Sequence, residues 1–96
     1  MADYTLTPGA EADLEGIWDY SADTWSIAQA NKYIDQLVVH FEALADKPGL
    51  AAPCEHIRAG YRYVHAERHV IYLRTTESGI EIVRILHDRM LPRKHL

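Results

Sequence analysis

The hydrophobic positions of the chain change their spacing near residue 57, which divides the sequence into a helical part and a strand part. In the first part apolar residues recur three and four positions apart, as on one face of an α-helix. In the second part short runs of β-branched and aromatic residues are separated by turn residues, which is typical of strands. The sequence therefore predicts an α+β fold.

The first part begins with a short predicted strand, Tyr4–Leu6, and a helix that follows it. Thr7 and Pro8 are typical of an N-cap and of the first helical position. The helix is expected to end around residues 22–24. Its apolar stripe consists of Ala10, Leu14, Ile17, Trp18 and Ser21.

A second helix is indicated by Ser26-x-x-Gln29, a capping-box pattern. Apolar residues then keep helical spacing from Ala30 to Ala45, and Pro48-Gly49 ends the helix. Since few residues separate the two helices, they should form an antiparallel hairpin.

Three strands are predicted after a connecting loop over residues 50–55, where Pro53 disfavours regular structure. They span Tyr61–His65, His69–Thr75 and Ile80–His87, and the breaks between them are short enough for hairpin turns. Apolar residues at consecutive positions imply that both sheet faces are partly covered. The expected architecture is one domain, residues 1–96, with order β-α-α-β-β-β and the helical hairpin packed on a small antiparallel sheet.

Composition narrows the cellular setting without indicating a reaction. The 96 residues are 48% hydrophobic and 25% charged, which is typical of globular domains. A lone Cys54 fits a reducing cytoplasm. The chain has no apolar run long enough to span a membrane, and Met1-Ala2-Asp3 does not resemble the start of a secretory signal. We expect a cytoplasmic protein.

Charge is distributed unevenly along the chain. Residues 1–56 carry ten acidic and two basic side chains, whereas residues 57–96 carry eight basic and four acidic ones. Such a dipolar surface can steer an acidic partner toward the basic half, although both charge sets can equally be solvated faces. A pI of about 5.8 disfavours direct nucleic-acid binding.

Five ordered segments resemble the ParE toxins of the RelE/ParE superfamily. They are Leu14–Tyr20 (L-x-x-I-W-x-Y), Ile57–Arg62 (I-R-x-G-Y-R), His69–Tyr72 (H-V-I-x-Y type), Ile82–Met90 (I-V-R-I-L-H-x-R-M) and the closing His95-Leu96. The resemblance covers nearly the whole chain. The chain departs from many relatives in Leu73-Arg74 and in the Leu91-Pro92 that follows Met90.

The resemblance implies a toxin of a type II toxin–antitoxin pair that inhibits DNA gyrase by binding its A subunit, without cofactor, metal or catalytic residue. It also implies a ParD-like antitoxin, which would contact operator DNA itself and neutralise the toxin with an amphipathic segment.

Two sets of binding residues are expected. The predicted gyrase-binding residues belong to the basic C-terminal segment: His87, Arg89, Met90, Leu91, Arg93 and His95. The predicted antitoxin-binding residues are Tyr20, Arg58, Arg62 and Arg74. Tyr20 lies off the apolar stripe, which favours an interface, whereas Trp18 is expected in the core. Met90 and Leu96 can alternatively fold back to cap the core.

Three other interpretations remain open. A RelE-like ribosome-dependent messenger-RNA endonuclease would use His65, His69, His87, Arg84 and Arg89. Regular alternation places Arg84 and His87 on opposite faces, which scatters that set. A zinc site of Cys54, His65 and His69 lacks a fourth ligand. The third interpretation is a toxin fold that has lost toxicity and serves only in complex assembly.

Overall fold

Two helices lie against one face of a five-stranded sheet in the computed structural model, which describes residues 3–96. The elements are β1 (Asp3–Leu6), α1 (Pro8–Thr24), α2 (Ile27–Asp46), β2 (Ala52–Pro53), β3 (Tyr61–Ala66), β4 (His69–Thr75) and β5 (Gly79–His87), with 3-10 turns at Pro48–Leu50 and Pro92–Lys94. Met1 and Ala2, on which the expectation of no secretory signal partly rests, lie outside the described residues. Neither described helix combines the length and apolar character needed to cross a membrane.

Both helices begin at the predicted caps. The Thr7 hydroxyl accepts a hydrogen bond from the Ala10 N–H (3.1 Å), and the Ser26 hydroxyl accepts one from the Gln29 N–H (3.0 Å). Each bond satisfies one of the N–H groups that the first turn leaves without a partner. α1 ends at Thr24, as predicted, and α1 and α2 pack against each other, which confirms the predicted helical hairpin.

The predicted antiparallel meander β3-β4-β5 is confirmed, but the whole sheet is mixed, with the order β1-β5-β4-β3-β2. β1 pairs with β5 in parallel, and the intervening chain supplies the long connection that parallel neighbours require. Gly79 makes this pairing possible, because a Cβ at that position would collide with the carbonyl oxygen of Asp3.

The predicted loop over residues 50–55 contains an additional edge strand, β2, so this part of the prediction was wrong. Ala52 and Pro53 pair with Tyr63 and Arg62 of β3. Proline is compatible with this position because an edge strand has one side without a neighbouring strand that needs its N–H.

The sheet has a core on each face, as the consecutive apolar positions predicted. The helix face buries a large cluster that includes Leu37, Phe41, Leu44, Ile71, Leu73, Ile80, Ile82 and Ile85. The opposite face, here called the second face, buries Cys54, Val70, Tyr72 and Leu86 beneath Ile57 and Leu96. Burial raises the pKa of the Cys54 thiol, which keeps it protonated and therefore a poor nucleophile.

Candidate partner-binding site

A groove of about 530 Å³ opens between α1, α2 and the end of the sheet where β4 begins and β5 ends. Small residues of α1 make space for it, because Ala12 and Gly16 lie one turn apart on the same helix face. A Cβ added at Gly16 would meet no atom within 4 Å. Ile17 and Ile85 also line the groove and give it apolar walls.

The rim of the groove exposes large apolar side chains. Tyr20 is 67% exposed, Trp25 55% and Met90 46%, and all three line the groove. The Tyr20 and Trp25 rings meet edge to face with centroids 6.4 Å apart, and the Arg68 guanidinium lies 6.0 Å from the Trp25 ring centroid. Exposed aromatic and Met side chains beside an arginine are typical of protein interfaces.

The floor of the groove is polar and carries two histidines. The Tyr33 hydroxyl lies 2.7 Å from His69 Nδ1 and accepts a hydrogen bond from the Arg68 N–H (3.0 Å). His69 and His87 are cross-strand partners, and their ring centroids are 5.5 Å apart. Burial, followed by the nearby His87, lowers the pKa of His69, so this imidazole is neutral near pH 7. A neutral His69 ring keeps the apolar groove from enclosing an unpaired charge at this position.

The proposed nucleolytic set is only partly brought together. His69 and His87 meet, but His65 stands on β3 beside Tyr63, with ring centroids 6.2 Å apart. Arg84 donates from Nε and Nη2 to Asp13 and from Nη1 to the His95 carbonyl oxygen, so its guanidinium is held by Asp13 and the C-terminal residues and is not directed at the two histidines. The zinc alternative fails on geometry, since His69 lies in the groove and Cys54 in the second-face core.

The predicted gyrase-binding residues are divided between two places. His87 and Met90 line the groove, whereas Leu91 and Arg93 line a shallow hollow of about 490 Å³ that is also lined by His56 and Ile57. Arg89 is exposed. The His95 carbonyl accepts a hydrogen bond from Arg84. Leu96 packs against the second-face core, as the capping alternative expected, whereas for Met90 that alternative is wrong because its side chain is exposed at the groove.

The predicted antitoxin-binding residues are not one surface, since Tyr20 lines the groove but the three arginines do not. The Arg58 guanidinium lies 5.8 Å from the Tyr61 ring centroid, Arg62 Nε donates to the Ala51 carbonyl (3.0 Å), and Arg74 Nε lies 2.7 Å from Glu81 Oε1.

Trp18 is half-buried and not part of either core cluster. Its indole N–H donates to Asn31 Oδ1 (2.9 Å), so it joins the two helices near their surface.

Groove residues that the sequence interpretation missed include Ala12, Gly16, Tyr33 and Arg68. One local signal was available, because Ala12, Gly16 and Tyr20 repeat every four residues and place small side chains below an exposed aromatic one. Tyr33 and Arg68 carry no comparable signal, since they meet through folding across 35 positions of sequence.

The fold and the groove define a small α+β protein in which a helical hairpin and a sheet together frame an apolar binding surface. Comparison with known proteins assigns it to a family. Residues 4–92 match the family model described as the ParE toxin of the type II toxin–antitoxin system parDE.

Two relatives support this assignment over nearly full length. The chain is 41% identical over 96 residues to Toxin ParE1 of Caulobacter vibrioides, covering 100% of this chain and 99% of that protein. It is 41% identical over 88 residues to Toxin ParE1 of Mycobacterium tuberculosis, covering 91% of this chain and 90% of the relative.

A solved structure shares the fold. It is described as the chromosomal ParDE TA system from P. aeruginosa and superposes with a TM-score of 0.78 at 24% identity, covering 91% of this chain and 96% of that chain. The chain belongs to the ParE toxin family of type II toxin–antitoxin systems.

Proposed function

We propose that this toxin acts in the cytoplasm by binding, not by catalysis, and that it uses two surfaces. The groove receives an amphipathic segment of a ParD-like antitoxin, and the C-terminal segment contacts the A subunit of DNA gyrase. The observation that carries the proposal is the exposed apolar rim of Tyr20, Trp25 and Met90 around an open groove.

The groove suits a helix that presents one apolar face. Its walls are apolar, its rim is aromatic and its floor offers hydrogen-bonding groups, which is the pattern of helix-in-groove recognition. The names of the relatives support the partner, because the matched fold comes from a ParDE system and the family pairs ParE with ParD.

Trp25→Ala tests the groove. If the antitoxin covers the Trp25 ring, its truncation should cost about 2 kcal/mol or more, as is typical of aromatic anchors buried in an interface. We therefore expect the antitoxin dissociation constant to rise about 30-fold or more in calorimetric titration. Val39→Ala is the matched control, because Val39 is 64% exposed on α2 and does not line the groove. Equal affinities for wild type and Trp25→Ala would move the antitoxin to another surface.

The gyrase contact is assigned to the C-terminal segment because it combines exposed apolar and basic side chains. Leu91 is 48% exposed and lines the shallow hollow together with Arg93. Deletion of residues 90–96 is a poor test, since it removes Met90 from the groove and Leu96 from the second-face core. Substituting Leu91 and Arg93 with Ala leaves both in place.

We expect the Leu91→Ala/Arg93→Ala variant to lose inhibition of gyrase supercoiling about 5- to 150-fold while retaining antitoxin binding, since contacts of this kind contribute roughly 1–3 kcal/mol. A folded variant that inhibits like wild type would show that gyrase meets a different surface.

The alternative function, a RelE-like messenger-RNA endonuclease, draws support only from the contact between His69 and His87. A catalytic acid or base contributes about 100-fold or more, whereas a binding contact has a graded effect. His87→Gln should therefore leave most of the activity. Complete loss of activity with unchanged target affinity, together with messenger-RNA cleavage on translating ribosomes, would favour the endonuclease.

A further inference from the structure

Residues 88–96, here called the tail, have few attachments to the rest of the protein. After Asp88, the tail N–H groups that form hydrogen bonds find their acceptors within the tail or on His87. Within residues 3–96, the hydrogen bond that ties the later tail to a distant element comes from Arg84 Nη1 to the His95 carbonyl oxygen (2.9 Å). Leu96 is also attached through apolar packing on the second face.

The Arg84 guanidinium is held in position by Asp13. Arg84 Nε donates to Asp13 Oδ2 (2.7 Å) and Nη2 donates to Oδ1 (2.9 Å), which is a bidentate pair. The backbone N–H of Ile85 donates to the same Oδ2 (2.9 Å), so the carboxylate is itself fixed by the sheet. Because the guanidinium is planar, two bonds to Asp13 determine the direction of the third nitrogen. That nitrogen is the one that reaches His95.

Gly9 leaves room for the Arg84 side chain. A Cβ at Gly9 would lie 3.0 Å from Arg84 Cδ and 3.4 Å from its Nε, which is tighter than ordinary packing. Gly9 and Asp13 are one helical turn apart, so they flank the side chain from the same face of α1. The pair is also shielded from solvent, with side-chain exposures of 26% for Arg84 and 14% for Asp13.

We propose that Gly9, Asp13 and Arg84 form a latch that positions the tail against the second face, and that inhibition of the target requires this position. The dependence of inhibition on the tail position rests on the proposed function, whereas the positioning of the tail concerns the toxin alone. Arg84 is a positioning residue in this proposal: it fixes where Leu91 and Arg93 are presented and does not itself contact the target.

Backbone relaxation measurements by NMR on the free toxin test the latch directly. In Arg84→Lys, one ammonium group can pair with Asp13 but has no rigid second arm for His95. Order parameters for residues 93–96 should fall from about 0.85 to below about 0.6, while the sheet keeps its values. Asp13→Asn should mobilise the same residues, because it removes the charge that orients Arg84.

Glu81→Gln is the matched control. Glu81 Oε1 accepts from Arg74 Nε at 2.7 Å, the same distance as between Asp13 and Arg84, but this pair does not touch the tail. Its tail should remain as ordered as in wild type. Ordered tails in both latch variants, or a tail freed by Leu96→Ala alone, would show that apolar packing holds the tail and would overturn the latch.

Supercoiling assays then test the dependence on tail position. The Arg84→Lys variant loses a hydrogen bond from a charged donor. Its inhibition of gyrase should therefore be about 10-fold weaker than that of wild type, or weaker still. Wild-type potency from a variant with a mobile tail would overturn this dependence. If wild type itself fails to inhibit gyrase, the proposed function is wrong, while the relaxation data still decide the latch.

Discussion

The two faces of the sheet are covered in different ways, and the difference separates stability from function. Two capped helices cover the helix face, where Leu37, Phe41 and Ile82 are completely buried. The second face has a small core, covered by the loop around Ile57 and by the end of the tail at Leu96. Helices are stabilised by their own backbone hydrogen bonds, whereas a loop and a tail depend on a few side-chain contacts. The helix face should therefore provide most of the stability, and the second face most of the mobility.

The largest expected effect comes from the helix face. Phe41→Ala removes a completely buried ring that lies 5.4 Å from the Tyr4 ring, so it should lower the free energy of unfolding by about 3–5 kcal/mol. Leu96→Ala on the second face should cost under about 1.5 kcal/mol, because Leu96 is only partly buried. Urea denaturation of both variants measures this contrast. Equal losses would mean that the tail is as much a part of the core as α2.

The arginines outside the groove should affect partner association more than dissociation. Arg58→Glu combined with Arg74→Glu reverses charge on residues that do not line the groove. If the basic half steers an acidic antitoxin, the association rate at low salt should fall several-fold, and the effect should fade in high salt. Trp25→Ala provides the opposite signature, a faster dissociation at nearly constant association rate. An unchanged association rate at low salt for the charge variant would rule out steering.

Two glycines of α1 allow a test of the groove in which the expected change in stability is smaller. Gly16→Ala should stabilise the free toxin by about 0.5–1 kcal/mol, because alanine favours helix and meets no neighbouring atom. Because Gly16 lines the groove, an added methyl should also lower antitoxin affinity. Gly9→Ala is the comparison, since its Cβ would press on Arg84 and cancel the helix gain. A stabilised Gly16→Ala variant with undiminished affinity would place the antitoxin outside the groove.

Local sequence signals were enough for the helices and the meander, because caps, helical spacing and hairpin turns depend on residues close in the chain. The pairing of strands that are distant in sequence could not be predicted from such local signals. The parallel partner of β1 and the short edge strand β2 are defined only by β5 and β3. β1 was predicted as a strand but its partner was not, and β2 is too short to show a period of its own.

The candidate site was less predictable for the same physical reason. The register shift between Tyr72 and Leu73 leaves Val83 as an extra residue in β5, and the Val83 carbonyl accepts a hydrogen bond from the Thr7 hydroxyl (2.7 Å). Periodicity does not locate such a bulge, yet it sets the faces of the residues that follow. The C-terminal segment was predicted as one surface because its residues are contiguous and basic, whereas the structure divides it between the groove and the second face.

The smallest predicted effect concerns His69 on the groove floor. Its neighbours include the Tyr33 hydroxyl, His87, Asp88, Asp13 and Arg68. Burial and then His87 lower the pKa of His69 from its ordinary 6.5, outweighing the two carboxylates that raise it. As the pH falls, His69 is therefore protonated near pH 6.5 in the unfolded chain but only at a lower pH in the folded protein.

The free energy of unfolding should consequently decrease as the pH falls below about 6.5, and this contribution should level off below the folded pKa. His69→Gln should flatten that slope between about pH 7 and pH 5, as followed by urea denaturation at each pH. His65→Gln is the control, because His65 is exposed on β3 and does not line the groove. If His69→Gln keeps the wild-type slope, the acid sensitivity arises elsewhere. If the slope flattens, acidification destabilises the folded protein at the groove floor through His69. The second-face core should not contribute to this slope, because its described members include no histidine.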